Sequence, residues 1–253
     1  MSGRLTGHVS VVTGGNSGIG LGMAEGLARA GADVAIWGRD PARNSSAQRL
    51  LAGHGTQVHA FGCDIADPRA VDRATAETLA ALGRIDSCFA NAGVGPRGTR
   101  FVDMPLSEFR EVVSVNLEGS FLVLQAAARE MIRQGDGGSL VGISSLAALQ
   151  GQPRGQHYSA SKGGLISMIR SCAVELARHR IRANAILPGW IQTPMAQDAL
   201  DSNQVRERVL PRVPAGRWGQ PRDFASLAVY LAGPGSEYHT GDAIVVDGGY
   251  RNF

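Results

Sequence analysis

The sequence predicts an α/β fold, a single doubly wound parallel sheet with helices on both of its faces, and three features of the chain predict it. Short apolar, β-branched runs lie at residues 8–13, 33–37, 85–91, 139–144, 182–187 and 243–247, each bounded by glycine or polar residues. Parallel strands buried on both faces read this way. Helix-like stretches of about ten or more residues separate the runs. A glycine-rich turn, residues 13–20, joins the first run to the first helical pattern at 21–30. Parallel strands need crossover connections and helices must cover both faces, so a doubly wound sheet meets this alternation more economically than a barrel or a sandwich.

A chain of 253 residues is long enough to bury a substantial core. No linker rich in proline, serine or glycine divides it, no internal repeat is visible, and the 34 glycines are dispersed. Residues 1–253 are therefore expected to form one domain. The irregular segment 190–219 is too long for a plain loop; it is expected to be a substrate-loop insertion that carries helices of its own or serves as a lid. With 43% hydrophobic and 19% charged residues and a mean hydropathy of -0.05, the chain reads as globular. Its net charge of +3 is spread along the chain with no basic run to follow a phosphate backbone, so nucleic acid is not an expected partner. Cys63, Cys88 and Cys172 are far apart and lack metal-ligand spacing. Reduced thiols are expected, and no metal site. Residues 1–8 hold no apolar signal core, and no stretch reaches about 18 uninterrupted apolar residues, so no membrane span is expected and the cytoplasm is the expected compartment.

In Thr13-Gly14-Gly15-Asn16-Ser17-Gly18-Ile19-Gly20 the glycines have separate uses. Gly14 allows the tight turn, Gly18 lets the backbone approach a pyrophosphate, and Gly20 allows close packing of helix on strand, with the helix amino terminus facing the anion. Such a turn can also be merely structural. Further along, Tyr158 and Lys162 are four residues apart in a stretch that reads as helical from 158 to 179, so they share a face. A free phenol titrates near pH 10 and needs a neighbouring cation to ionise near neutrality, which Lys162 supplies. Ser145 ends the 139–144 run, 13 residues before Tyr158. Asn116 sits inside a helical pattern where asparagine has poor propensity, so it marks either a site residue or a helix kink.

The TGxxxGxG spacing of Gly14, Gly18 and Gly20, with Asn91-Ala92-Gly93, Asn116, Ser145, the Tyr158/Lys162 pair, Pro188-Gly189-Trp190-Ile191-Gln192-Thr193 and the 240–249 segment in order, resembles the classical short-chain dehydrogenase/reductase family from about residue 5 to 250. The resemblance implies a Rossmann fold and hydride transfer between NAD(P) and a small-molecule carbonyl or alcohol. It implies a catalytic tetrad of Asn116, Ser145, Tyr158 and Lys162, with Ser145 holding the substrate oxygen, Lys162 also holding the nicotinamide ribose, and Asn116 extending a proton relay through water. Asn16, Ser17 and Ile19 join the three loop glycines around the cofactor. Asp64 and Ile65 meet the adenine, Asn91, Ala92 and Gly93 line the cofactor, and Pro188, Gly189, Ile191 and Thr193 clamp the carboxamide.

The second strand ends in Trp37-Gly38-Arg39. An NAD enzyme offers an acid to the ribose hydroxyl there and an NADP enzyme a cation to the 2′-phosphate, so NADP(H) is favoured over NAD(H). In the opposing reading, Arg39 is an ordinary turn residue and Asp40 takes the ribose; Ser17 stands where NADP members commonly carry a base. Family resemblance places the substrate pocket around 94–97, 146–157 and 190–215. There Arg97, Arg154 and His157 would receive an anionic or polyhydroxylated substrate, and Leu146, Leu149, Trp190 and Met195 a ketone. Sugars, small ketones, acyl thioesters and steroids stay open. The rival readings are a catalytically idle dinucleotide sensor or scaffold and a nucleotide-sugar epimerase or dehydratase.

The helices expected at 106–134 and 158–179 carry apolar residues on more than one face, including Phe109, Val113, Phe121 and Leu124, then Leu165, Met168, Cys172, Ala173 and Leu176. A second stripe implies a partner, and with the family resemblance a homotetramer is expected.

Overall fold

A computed structural model of the chain describes residues 5–253; the amino-terminal reading of residues 1–4 lies outside them. Seven strands, β1 (Val9–Thr13), β2 (Asp33–Gly38), β3 (Val58–Gly62), β4 (Ser87–Ala90), β5 (Gly138–Ile143), β6 (Ile181–Pro188) and β7 (Ala243–Val246), pair in parallel in the order β3-β2-β1-β4-β5-β6-β7. Six coincide with the predicted runs to within two residues. The seventh, β3, escaped the reading because it is an edge strand: it pairs only with β2, and after buried Val58 its residues are half exposed, so it lacks the continuous apolar run of an inner strand.

Successive side chains of a strand point to opposite faces, and here both directions are buried. Val11, Ala35 and Leu140 enter one core, against the helices α3 (Pro68–Leu82), α5 (Gly119–Gln134) and α6 (Gln156–Leu176). Their neighbours Val12, Ile36 and Val141 enter the other, against α1 (Gly18–Arg29), α2 (Pro41–Ala52) and α9 (Ala225–Ala232). Gly22 and Gly26 make α1 flat on one side. A Cβ at Gly22 would stand 2.2 Å from the Pro221 carbonyl oxygen and one at Gly26 2.7 Å from Ala225 Cβ, so the segment entering α9 packs directly on the α1 backbone.

Local chemistry sets the helix starts. The Asp40 carboxylate accepts from the Ala42 and Arg43 amides at 2.9 and 3.1 Å, and Asp67 accepts from the Arg69 amide at 2.9 Å, each followed by proline in the first turn. The single helix expected at 106–134 is interrupted: α4 (Leu106–Val113) and α5 flank a π-helical turn, Ser114–Glu118, that contains Asn116. The segment 190–219 carries α7 (Gln197–Leu200) and α8 (Asn203–Val209). Among the described residues no helix is long and apolar enough to cross a membrane, and no group of three or more His, Cys, Asp or Glu side chains is placed to hold a metal.

Candidate active site

The strand order reverses between β1 and β4, since the chain builds β2 and β3 on one side of β1 and then returns to build β4 on the other. The loops leaving the carboxyl ends of these strands diverge and leave a crevice, where open α/β sheets bind ligands. A cleft of about 570 Å³ occupies that position. Every predicted site residue lines it except Gly20 and Asn116. Gly20 lies beneath the turn, where a Cβ would stand 2.3 Å from the Gly14 carbonyl oxygen. Asn116 is fully buried behind the wall, and its amide accepts from Val94 N at 2.8 Å and donates to Val94 O at 3.0 Å.

At one end the glycine turn forms a cradle. Gly14 and Gly18 take positive φ of 63° and 52°, which side chains resist, and the first amides of α1 have no helical acceptor. Thr193 crosses from the far side, its Cγ2 placed 3.2 Å from where a Gly18 Cβ would be. A space lined by backbone amides, closed over by a second loop and running the length of the crevice fits an extended dinucleotide.

The residues after β2 bear on the two readings of that region. A Cβ at position 38 would stand 2.4 Å from Asn16 Nδ2 and 2.5 Å from Asn44 Oδ1, which are hydrogen-bonded to each other at 2.7 Å, so an acidic side chain there would require this amide pair to shift. Asp40 caps α2 through Oδ1 and lies 3.4 Å from Arg43, and it too lines the cleft. Arg39 faces the cleft, 3.9 Å from Asp64. Arg43 also lines the cleft and was passed over in the sequence; its signal was its place in the first turn of a helix that begins beside Arg39.

At the other end, Ser145 follows β5 and Tyr158 and Lys162 occupy one face of α6. Lys162 Nζ donates to the Ile143 carbonyl at 2.7 Å and lies 5.8 Å from the Tyr158 ring centroid. Ser144, the residue before Ser145, is buried and donates to the Lys162 carbonyl at 2.8 Å, tying β5 to α6. The expected lowering of the Tyr158 phenol by Lys162 is not met in the chain alone. Burial raises Tyr158 above its ordinary value, and a hydrogen bond with Ser145 opposes the rise. Burial likewise pushes Lys162 down, to about 8.

The substrate end differs from expectation. Arg97 is ion-paired with Glu111, Arg154 is exposed on a strained turn (φ 60°), and His157 is wholly buried against α4, so none of the three lines the cleft. Neither do Leu146 and Leu149. The wall is made by Val94, Trp190, Pro194, Met195 and Ala196. Polar side chains with an ionic partner close by found it instead of the pocket, which sequence spacing does not show.

Residues 14–251 match a family model described as Enoyl-(Acyl carrier protein) reductase. The chain is 40% identical to an L-rhamnose 1-dehydrogenase (NAD(P)(+)) of Sphingomonas sp. (strain SKA58), over 97% of this chain and 96% of that protein. Its fold superposes on a short-chain type dehydrogenase/reductase from Mycobacterium marinum with a TM-score of 0.93 at 35% identity, covering 98% of this chain and 96% of the other. The chain belongs to the short-chain dehydrogenase/reductase family. As a member it is an NAD(P)-dependent oxidoreductase that moves a hydride between nicotinamide and a carbonyl or alcohol carbon. A gluconate 5-dehydrogenase from Burkholderia cenocepacia J2315, solved in complex with NADP and tartrate, matches this short-chain dehydrogenase with a TM-score of 0.93 at 32% identity, over 99% of this chain and 97% of that one.

The buried ammonium has a measurable consequence. Lysine in the unfolded chain titrates near 10.5 and Lys162 in the fold near 8, so the native state is penalised fully below pH 8 and recovers as pH rises to 10.5. That gap is worth about 3 kcal/mol, and loss of the hydrogen bond to Ile143 returns about 1 kcal/mol. Lys162→Met is therefore expected to stabilise the cofactor-free protein by about 2 kcal/mol at pH 7, with the gain fading toward pH 10.5. Urea titrations at pH 7 and 10 check this, and a less stable variant at pH 7 contradicts it.

Proposed function

We propose that this enzyme oxidises a neutral, hydroxylated compound of the sugar class, or reduces the corresponding carbonyl, with NADP(H) preferred over NAD(H). The observation that carries the substrate reading is the distribution of charge in the cleft. Among its lining residues the cations are Arg39 and Arg43 at the adenosine end and Lys162 at the reaction centre. The wall of Val94, Trp190 and Met195 offers no counter-ion to a carboxylate or a phosphopantetheine, while Trp190 supplies a flat apolar face for a sugar ring or a cyclic alcohol. The 40% identical relative named for a neutral sugar supports this more than the relative named for gluconate.

Gly14, Asn16, Ser17, Gly18, Ile19, Asp64, Ile65, Asn91, Ala92, Gly93, Pro188, Gly189, Ile191 and Thr193 hold the dinucleotide in this reading, and Gly20 and Asn116 support it from behind. The bound nicotinamide supplies the hydride chemistry. Ser145 donates to the substrate oxygen and stabilises the charge that develops there. In the oxidative direction Tyr158 receives the hydroxyl proton as the carbonyl forms, and in the reductive direction it returns the proton. Lys162, when charged, favours the phenolate and works with the Ser145 hydrogen bond against the burial that raises Tyr158.

Tyr158→Phe is expected to reduce turnover of L-rhamnose by more than tenfold, about 1.4 kcal/mol in barrier, while NADPH binding stays within about twofold. In the same assays kcat/KM for neutral sugars and cyclic diols is expected to exceed that for gluconate at least about tenfold. Greater efficiency with the acid overturns the substrate class.

For the cofactor, two arginines at the adenosine end and the Asn16–Asn44 pair that an acid at position 38 would have to displace support NADP(H). The ion pair of Arg39 with Asp64 is exposed, so it yields readily to a 2′-phosphate. The ratio of kcat/KM with NADP to that with NAD is expected to exceed one and to fall at least about tenfold in Arg39→Ala. A wild-type preference for NAD contradicts the reading.

We also place the enzyme in the cytoplasm, on its three unpaired cysteines, and read it as a homotetramer. Much of the stripe anticipated from the sequence is spent inside the subunit, since Leu124, Leu165, Ala173 and Leu176 are buried. Leu106 on α4, Phe121 on α5 and Val174 on α6 remain 59%, 44% and 82% exposed, enough apolar surface on adjoining helices for an isologous contact. Light scattering should give a multiple of the 26.5 kDa subunit mass, and a monomer mass refutes assembly.

A further inference from the structure

The polar groups on the side of α6 turned away from the cleft form a second structure around Tyr158. His157 immediately precedes it and is wholly buried, with Nε2 3.5 Å from Glu108 Oε1 of α4. Neither His157 ring nitrogen nor Glu108 Oε1 makes a hydrogen bond, so the 3.5 Å approach of the two side chains is the polar contact left to them. The other Glu108 oxygen accepts from Thr99 Oγ1 at 2.8 Å. One turn along α6, Ser161 Oγ receives Asn116 Nδ2 at 3.3 Å and itself donates to the Tyr158 carbonyl at 2.7 Å, and Asn116 holds both backbone groups of Val94.

Two polar connections therefore flank Tyr158, one through His157 and Glu108 to Thr99, the other through Ser161 and Asn116 to Val94. Both end on the segment that follows β4, which supplies Val94 to the cleft wall. Positions 157 and 161 share one helix face while 158 and 162 share the next, so the same helix that aims Tyr158 and Lys162 at the reaction centre is pinned behind to the wall opposite. We infer that Glu108 and His157 are positioning residues, a bracket that sets the distance between the Tyr158 hydroxyl and the substrate wall and keeps Tyr158 in contact with Ser145. Proton transfer is sensitive to this distance, and a misplacement of about 1 Å costs on the order of a hundredfold in rate.

The inference rests on the reading of Tyr158 as the proton-transfer group, and two measurements separate them. The first needs no substrate. The Tyr158 phenolate is titrated by its ultraviolet absorbance, as the difference from Tyr158→Phe, in wild type, Glu108→Gln and the double variant Glu108→Leu/His157→Phe. The double variant replaces the polar pair by an apolar one of similar size, so the packing is kept and the bracket is lost. The Tyr158 midpoint is expected to rise as the Ser145 contact loosens, and Glu108→Gln, which keeps a carbonyl oxygen for Thr99 and turns an amide N–H toward the His157 ring, is expected to stay near wild type. An unchanged midpoint in the double variant overturns the bracket.

The second is turnover of L-rhamnose with NADPH binding measured alongside. The double variant is expected to lose at least about tenfold in kcat with cofactor affinity within about twofold. Wild-type kcat in the double variant means the pair only fills space, which also overturns the proposal. If the double variant fails to fold, Thr99→Val severs the far end alone; it is expected to raise KM at least about threefold with kcat retained, and an unchanged KM counts against the bracket. Absence of wild-type turnover with every neutral sugar tried sinks the substrate class and leaves the phenolate titration to decide the bracket.

Discussion

Parallel pairing is the constraint from which the rest of this structure follows. A parallel strand cannot return by a tight turn, so each connection must cross the sheet, and the crossings in this chain put α1, α2 and α9 on one face and α3, α5 and α6 on the other. All strand carboxyl ends then lie along one edge. Because β1 is neighboured by β2 on one side and β4 on the other, connections depart in opposite directions at that point, and the crevice between them exists before any particular residue lines it.

Helix α6 carries most of the chemistry that fills the crevice, and it does so at a cost in stability. It buries Ile166 and Ile169 in the core, Lys162 at the cleft and His157 against α4, so polar groups sit where packing alone favours apolar ones. Lys162 is hydrogen-bonded to the Ile143 carbonyl, whereas His157 has only the Glu108 carboxylate at 3.5 Å and makes no hydrogen bond. A buried polar group costs stability unless it is so bonded. Local conflict of this kind, concentrated in one helix, is what separates a functional site from a scaffold optimised for stability alone.

Local patterns were the most legible. The glycine turn and the Tyr158/Lys162 pair could be read because backbone freedom and helical spacing act within a few residues. Ser145 was marked by its place at the end of β5, 13 residues before Tyr158, while its neighbour Ser144 is taken up by the Lys162 carbonyl. Asn116 was read both as a helix kink and as a site residue; it sits in a π turn, and its amide reaches Val94 rather than the cleft. Arg97, Arg154 and His157 were near the pocket in the chain yet outside it in space, because Glu111 and Glu108 draw two of them elsewhere and the third turns outward.

By itself, then, the sequence determined the fold class, six of the seven strands, the glycine cradle and the face of α6 that meets the cleft, since each depends on periodicity or on conformational freedom encoded within a short window. Tertiary structure decided what depends on distant segments meeting: the edge strand β3, the filling of the space beside Gly38 by Asn16 and Asn44, the absence of a cation from the substrate wall, and the burial that raises Tyr158 and lowers Lys162. Desolvation and side-chain pairing are properties of the surroundings a residue acquires on folding, and no spacing along the chain records them.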